Sequence, residues 1–394
     1  MKFNKWTLGL AAVGVVSLAS AARADEKVSQ LNTALSNTTI SGYVDVGAQY
    51  ESAAGAVAGA APYSIAGGPE SFSLNTVDIA IDKPEDATPF AAGYHIELWT
   101  GSATTGLTPV APLSTGSIVR QAYLALGTTF GGQEIDWKIG VWDTIIGYEG
   151  LTSSGNPNYT HSYGFAVEPT THTGIQGTYK LNDEFTFQLA VADDSYPGGN
   201  GGYSAAINGA AANPLIHPTT LGTIAYTAPS SWGPLSGATL TLGGIYTAGT
   251  NPGSGYSVSG YAGTTIPTPI AALKFGTAFD YVNQSQNLNG HVWVGGVYGT
   301  WTASDKLTFN ARAEYYDQDT VAFIGTMLTA PGAVQHGEEF TVTAQYALWA
   351  NVLSRLELRW DHAEYGTPFS TTPYGTAFNT SDALFAGAEL IYTF

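Results

Sequence analysis

Between Arg355 and Asp361 the chain alternates strictly: Arg355, Glu357, Arg359 and Asp361 are separated by Leu356, Leu358 and Trp360. A period of two puts the charges on one face of a β-strand and the large apolar side chains on the other. The pattern recurs where Leu307, Phe309, Ala311, Ala313 and Tyr315 alternate with Thr308, Asn310, Arg312 and Glu314, and where Ile135, Trp137, Ile139 and Val141 alternate with Asp136 and Lys138. At the carboxyl end Leu384, Ala386, Ala388, Leu390, Tyr392 and Phe394 share a face, with Glu389 on the other. In a water-soluble sandwich the charged faces would be the exterior. Yet 44% of the residues are hydrophobic and only 11% charged, and no segment beyond the amino terminus approaches the run of about 18 apolar residues a spanning helix needs. With 48 Gly, 23 Tyr, 16 Phe and 9 Trp, the composition favours strands, turns and interfacial aromatic belts. These features meet in an all-β transmembrane antiparallel barrel. A charge facing lipid at mid-depth costs roughly 2–4 kcal/mol, so the charged faces turn into a wet lumen. Closure is obligatory, because an open strand edge in hydrocarbon leaves a ladder of backbone groups unbonded.

The amino end fits export. Lys2 and Lys5 precede an apolar stretch from Thr7 to Ala21, and Ala22-Arg23-Ala24 reads as a cleavage site, so residues 1–24 are expected to be a signal peptide. Losing Lys2, Lys5 and Arg23 leaves 10 basic residues against 31 acidic, and the formal charge moves from −18 to −21. Such a chain lacks the clustered Lys and Arg that nucleic acid or anionic headgroups require, and suits divalent cations or positively charged solutes. Without cysteine there are no disulfides and no thiolate metal sites. Residues 25–38 form a leader in which Val28, Leu31 and Leu35 have helical spacing; a short periplasmic or lumen-entering helix and a disordered leader are both open. The barrel is expected over 39–394.

Strand pairs with tight connections fall at 70–101, 117–144, 171–194, 218–249, 256–284, 290–317 and 336–365, with single strands at 39–51 and 382–394. The total is about sixteen, an even number that puts both chain ends on the periplasmic, short-turn side. Eight long connections then face outward, and the third, 145–170, is the longest. Its Ile145, Ile146, Tyr148, Tyr159, Tyr163 and Phe165 carry too much apolar surface to stand in water, so it is expected to fold into the barrel mouth. A lid over the rim, or a contact with a neighbouring subunit, is the alternative. Trp142, Asp143, Tyr148, Asn156, Asn158, Tyr163 and Glu168 would form the constriction. Glu97, Asp136, Lys138, Glu149, Lys180, Arg312, Glu314, Arg355, Glu357, Arg359 and Asp361 would line the pore. Opposed charges there either set a transverse field that sorts solutes or brace the wall as ion pairs.

The segments KIGVWDTIIGYE (138–149) and NPNYTHSYGFAVEPTTHTGIQGTYKLNDEFTFQLAVAD (156–193), with ISGYVDV (40–46), resemble the OmpL-like β-barrel porin family of bacterial outer membranes. The resemblance marks Trp142, Asp143, Thr144, Gly147, Glu149, Asn156, Pro157, Asn158, Ser162, Tyr163, His172, Thr173 and Gly174 as a shared structural element, and implies a porin-like channel without naming its solute. The final strand also resembles the terminal signal read by the barrel-assembly machinery, with Glu389 where a glycine is preferred.

Other motifs carry less. No two of the seven histidines lie at metal-ligand spacing with a carboxylate on one element; His161 and His172 would anchor the third loop. A Ser-His-Asx barrel lipase would need a triad that spacing cannot show, and no Gly-x-Ser-x-Gly elbow is present. The glycine run 197–202 lacks dinucleotide spacing. Asp193 with Asp194, Asp317 with Asp319, and Glu338 with Glu339 are rim acids, solvated or bridging Ca²⁺ or Mg²⁺ to lipopolysaccharide. Most tryptophans suit interface belts, with Trp99, Trp142 and Trp349 as lumen candidates. The expected function is passive diffusion of small hydrophilic solutes and ions with mild cation preference, without enzyme activity, cofactor or metal. Outer-membrane lipids, lipopolysaccharide, the assembly machinery and a homo-trimer are the expected partners. A plugged structural or adhesive barrel working through 195–217 and 318–335, and a substrate-specific uptake channel, are the alternatives.

Overall fold

The computed structural model describes residues 37–52, 70–86, 90–102, 119–192, 200–201, 218–248, 255–285, 290–319, 336–364, 369–370 and 379–394. The expected signal peptide, nearly all of the leader, the pair Asp193 and Asp194, and much of the long loops other than the third lie outside these residues.

Sixteen long strands form the wall: β1 (Thr39–Glu51), β2 (Glu70–Lys83), β3 (Ala92–Thr100), β4 (Val119–Phe130), β5 (Gln133–Asp143), β6 (Thr171–Lys180), β7 (Phe185–Ala192), β8 (Thr219–Thr227), β9 (Thr239–Ala248), β10 (Tyr256–Pro267), β11 (Leu273–Gln284), β12 (Gly290–Thr302), β13 (Leu307–Gln318), β14 (His336–Trp349), β15 (Val352–Ala363) and β16 (Asp382–Thr393). Each pairs antiparallel with its neighbours in sequence, and β16 returns to β1 from Tyr43 opposite Thr393 to Glu51 opposite Phe385. The barrel is therefore closed, and no wall strand has an unpaired side.

Short and long connections alternate as the sequence pattern requires. Gly131 and Gly132, at φ +61° and +83°, make the two-residue turn from β4 to β5, and Asn351 at φ +64° completes the turn from β14 to β15. Both turns demand left-handed backbone, which glycine and asparagine adopt at least cost.

The wall is inverted relative to a soluble protein. On β15, Arg355, Glu357, Arg359 and Asp361 are buried, while Leu356 and Leu358 are 65% and 67% exposed. Alternation is broken at three bulges. Between β1 and β2 Asp45 faces Thr76 and Val46 faces Leu74, so Asn75 is the extra residue and joins Thr76 among the buried groups. Between β3 and β4 the partner sequence skips Arg120, which turns inward beside Gln121. Between β14 and β15 it skips Leu348. That last bulge corrects one expectation: Trp349, which strict alternation sends into the lumen, is 70% exposed on the outside. Trp99 and Trp142 do face inward and are buried.

Candidate functional site: a loop clamped across the lumen

The third outer loop leaves β5 at Thr144, runs around the inside of the barrel and re-enters the wall at Thr171. It holds on first through apolar contacts. Ile146 packs with Leu221 and Ile245 of β8 and β9, and the Tyr148 ring stacks on Tyr298 of β12 at 4.0 Å. Tyr159 lies over Gly47 and Gly387, where any Cβ would collide with it, and its ring meets Phe385 at 5.6 Å. Tyr163 abuts Tyr316 at 4.7 Å and donates its hydroxyl proton to Asp361 at 2.7 Å. A five-residue helix, α1 (Tyr163–Val167), is capped by Ser162, whose Oγ accepts from the Phe165 amide at 3.0 Å.

Irregular backbone buried this deeply must find partners from the wall. Guanidinium groups take its carbonyls and carboxylates take its amides. Arg312 donates to the Thr160 carbonyl at 2.9 Å, Arg355 to the Ser153 carbonyl at 2.8 Å and to the Asn156 carbonyl, and Arg359 to the His161 carbonyl at 2.6 Å. Glu357 accepts from the amides of Tyr159 and Thr160 at 2.6 and 3.0 Å, and Glu314 from those of Tyr163 and Gly164. Asn158 accepts from the Thr343 hydroxyl at 2.8 Å. The arginines are neutralised in turn: Arg312 meets Glu149 at 2.6 Å and Glu339 at 2.7 Å, Arg355 meets Glu389 at 2.8 Å, and Arg359 meets Asp361 at 2.7 Å.

Two loop carboxyls are pushed in opposite directions. Burial raises Glu149, but the Arg312 guanidinium outweighs it and, with His161 and the Ser162 amide, brings the carboxyl down to about 2. Glu168 is held well above the usual range, by burial first and then by the negative neighbours Asp280, Glu149 and Glu314, with a hydrogen bond to Asp280. It folds against Gly147, whose φ of +118° and missing Cβ make the space. His172 bonds Thr144 at 3.1 Å and tilts against Trp142, whereas His161 stacks on Phe165 and reaches Asn156, so each anchors a separate stretch of the loop.

The loop covers β13 to β16 so completely that the side chains of Arg312, Arg359, Glu149, Glu339 and Asp361 have no solvent exposure. On β2 to β5 the lumen wall is different. Asp82 keeps 43% of its side-chain surface and bonds His95 at 3.2 Å; His95 stacks on Tyr123 at 5.1 Å, and the Lys138 ammonium lies 4.8 Å over that ring. Arg120, turned inward by its bulge, is clamped by Glu97 and by Asp143 at 2.6 Å and sits 4.9 Å over Trp99. Lower on this wall, toward the short turns, Glu85, Glu134 and Asp136 gather within 4.8 Å, all half-buried. Burial, then Asp136 and Glu134, push Glu85 up to about 7.

The residues expected to line the pore thus divide. Arg312, Glu314, Arg355, Glu357, Arg359 and Asp361 face inward but lie under the loop, with Glu149 joining them from the loop itself. Glu97 is buried against Arg120, Asp136 and Lys138 stand on the uncovered wall, and Lys180 sits at the short-turn rim bonded to Asp183 at 2.9 Å. Tyr148, Asn156, Asn158, Tyr163 and Glu168 belong to the docked loop, and Trp142 and Asp143 end the strand it leaves. Glu338 and Glu339 do not form a joint acidic spot, because alternation turns Glu339 inward to Arg312 while Glu338 stays outside.

The chain has a counterpart among known sequence families. The model of the family described as putative beta-barrel porin-2, OmpL-like, matches residues 37–394. The chain belongs to that family. Like other OmpL-like porin barrels it is an outer-membrane channel-type protein, and among solved structures it is similar to the outer membrane channel DcaP of Acinetobacter baumannii, with a TM-score of 0.57, 11% identity, and 91% of this chain and 97% of that one covered. It is similar to an anion-selective porin from Comamonas acidovorans, with a TM-score of 0.58 and 12% identity over 91% of this chain and 99% of that one. A trimer form of Vibrio cholerae OmpT gives a TM-score of 0.56 and 13% identity, covering 91% and 99%. At these identities the likeness is one of fold. A sequence comparison with curated proteins finds no match.

Proposed function

We propose that this OmpL-like porin is a water-filled diffusion channel for small hydrophilic solutes and ions, with its passage between the docked third loop and the lumen wall of β2 to β5. The observation that carries the reading is the contrast between the two walls: side chains under the loop are sealed, while Asp82, His95, Tyr123, Asp136 and Lys138 opposite keep solvent exposure. The account includes a mild cation preference. The basic groups of the loop clamp are neutralised where they stand, and on the uncovered wall, with Arg120 set against Glu97 and Asp143, the acids Asp82, Glu85, Glu134 and Asp136 outnumber the basic side chains Lys138 and His95. The anion-selective Comamonas structure shares the fold at 12% identity, so the sign of selectivity belongs to these local charges. A homo-trimer is included in the proposal, supported by the trimer form of the Vibrio structure. Exported behind a cleaved signal peptide and inserted by the barrel-assembly machinery, the barrel meets outer-membrane lipids and lipopolysaccharide on its apolar face.

Planar-bilayer recording in a salt gradient tests this reading. Discrete conductance steps with a reversal potential on the cation side are expected. A reversal on the anion side overturns the charge argument, and a silent bilayer with correctly folded protein favours the plugged structural barrel.

A further inference from the structure

The outer face of β14 and β15 carries the same three-residue pattern twice: His336-Gly337-Glu338 and His362-Ala363-Glu364. In each, the middle residue is buried toward the lumen, so histidine and glutamate share the outward face. The strands are antiparallel and in register, with Glu338 directly opposite His362 and the Glu364 amide donating to the His336 carbonyl at 3.2 Å. Four metal-type ligands therefore occupy the corners of one patch, histidines on one diagonal and glutamates on the other. Side chains directly opposite on one face have Cβ atoms roughly 5 Å apart. The next row toward the short turns is apolar and exposed, with Phe340 and Leu384 flanking Trp360, so the patch marks where the wall leaves the hydrocarbon.

A second feature is independent of the repeated pattern. A carboxylate on the strand beyond the pair stands at each Nδ1: Asp382 of β16 hydrogen-bonds His362 at 2.9 Å, and an Asp317 oxygen of β13 lies 2.7 Å from His336, an ion-pair distance without hydrogen-bond alignment. A carboxylate holding one ring nitrogen fixes the orientation of the ring and raises the basicity of the other, an arrangement that accompanies metal-ligating histidines. Asp382 is itself oriented by Trp360 Nε1 at 3.0 Å and Ser381 Oγ at 2.9 Å.

We infer that His336, Glu338, His362 and Glu364 form a binding site for a divalent transition-metal ion of the Zn²⁺, Ni²⁺ or Cu²⁺ class on the outer rim. Two imidazole nitrogens with two carboxylates suit these ions, whereas Ca²⁺ and Mg²⁺ call for oxygen throughout. The four ligand atoms are not gathered to coordinating distance, so binding closes the patch by rotation of side chains, and the partial exposure of both rings leaves room for it. Nothing in the site depends on whether the lumen conducts.

Trp360 provides the readout, because its ring stacks on His362 at 5.5 Å. Full-length, metal-stripped barrel in detergent is titrated with Cu²⁺ while tryptophan emission is followed. Saturable quenching at one ion per chain is expected, displaced by Zn²⁺ and not by millimolar Ca²⁺ or Mg²⁺. His336→Gln and His362→Gln should each weaken the apparent affinity at least tenfold, and Asp382→Asn by about tenfold, the usual effect of losing an orienting carboxylate. Folding of each variant is checked by its heat-dependent gel mobility. Should the histidine variants fail that check, Glu338→Gln with Glu364→Gln must show the same loss. Quenching that survives in folded ligand variants, or displacement by Ca²⁺ as readily as by Zn²⁺, overturns the assignment.

Discussion

Replacing Arg312 by methionine should release the third loop. The guanidinium has no solvent exposure, bridges Glu149 and Glu339, and bonds the Thr160 carbonyl and hydroxyl at 2.9 and 3.1 Å. Removing it strands two buried carboxylates, and breaking a buried pair from one side costs about 3–5 kcal/mol. If that cost falls on docking, the undocked fraction rises roughly a hundredfold to several thousandfold, since each 1.4 kcal/mol is about tenfold. Chymotrypsin supplies the assay: Tyr148, Tyr159, Tyr163 and Phe165 all lie in the loop, and cleavage of a briefly opened segment follows its open population when closing is fast. Cleavage within 148–165 should accelerate by that factor, and single-channel conductance should become larger and noisier. Adding Glu149→Gln and Glu339→Gln to Arg312→Met removes the stranded charges and should restore most of the protection. An Arg312→Met barrel that resists chymotrypsin as well as the parent would refute the claim that this ion cluster holds the loop.

Docking should also depend on pH with opposite signs at the two ends. Glu168 is raised on docking, so its contribution is complete below the ordinary glutamate value and is lost as pH climbs through the elevated one; chymotrypsin sensitivity should increase under alkaline conditions, and Glu168→Gln should flatten that limb. Glu149 is depressed to about 2, so its contribution is complete above about 4.5 and fades only toward pH 2, leaving the loop protected through mildly acidic buffers. At the short-turn end of the uncovered wall, Glu85 at about 7 gains its negative charge across neutrality, so the cation-to-anion permeability ratio should increase from pH 6 to pH 8, and Glu85→Gln should remove that increase.

Much of the barrel is legible in the alternation of its strands, because a wall between lipid and water imposes a period of two on every segment. Arg355-Leu356-Glu357-Leu358 shows this best: its leucines are exposed and its charges buried, the reverse of a soluble strand. The inward course of the third loop is legible in the apolar load of Tyr148, Tyr159 and Tyr163, and the structure selects the lumen over the rim: Tyr159 and Tyr163 are buried there and Tyr148 is partly so. Which lumen charges meet water is not legible, since a face assignment does not tell whether a loop 150 residues away will cover it, as the Tyr163 contact with Glu314 does. Bulges are the other blind spot. They break the period where Asn75 and Arg120 enter the lumen and where Trp349 leaves it; the adjacent polar pairs Asn75-Thr76 and Arg120-Gln121 are the available hint, since two polar neighbours in one strand cannot both face inward without one. The outer-rim patch escaped a search for paired histidines on one element because its two histidines stand on different strands.

The route through the lumen is open to a direct check, because the chain has no cysteine of its own. Single cysteines at Asp82 and Lys138 on the uncovered wall, and at Thr343 beneath the loop, would be exposed to a charged, membrane-impermeant thiol reagent during bilayer recording. Stepwise loss of conductance for Asp82→Cys and Lys138→Cys with no change for Thr343→Cys is the predicted outcome. Modification and block at Thr343, with the other two positions silent, would place the water path on the wrong side of the loop and contradict the account.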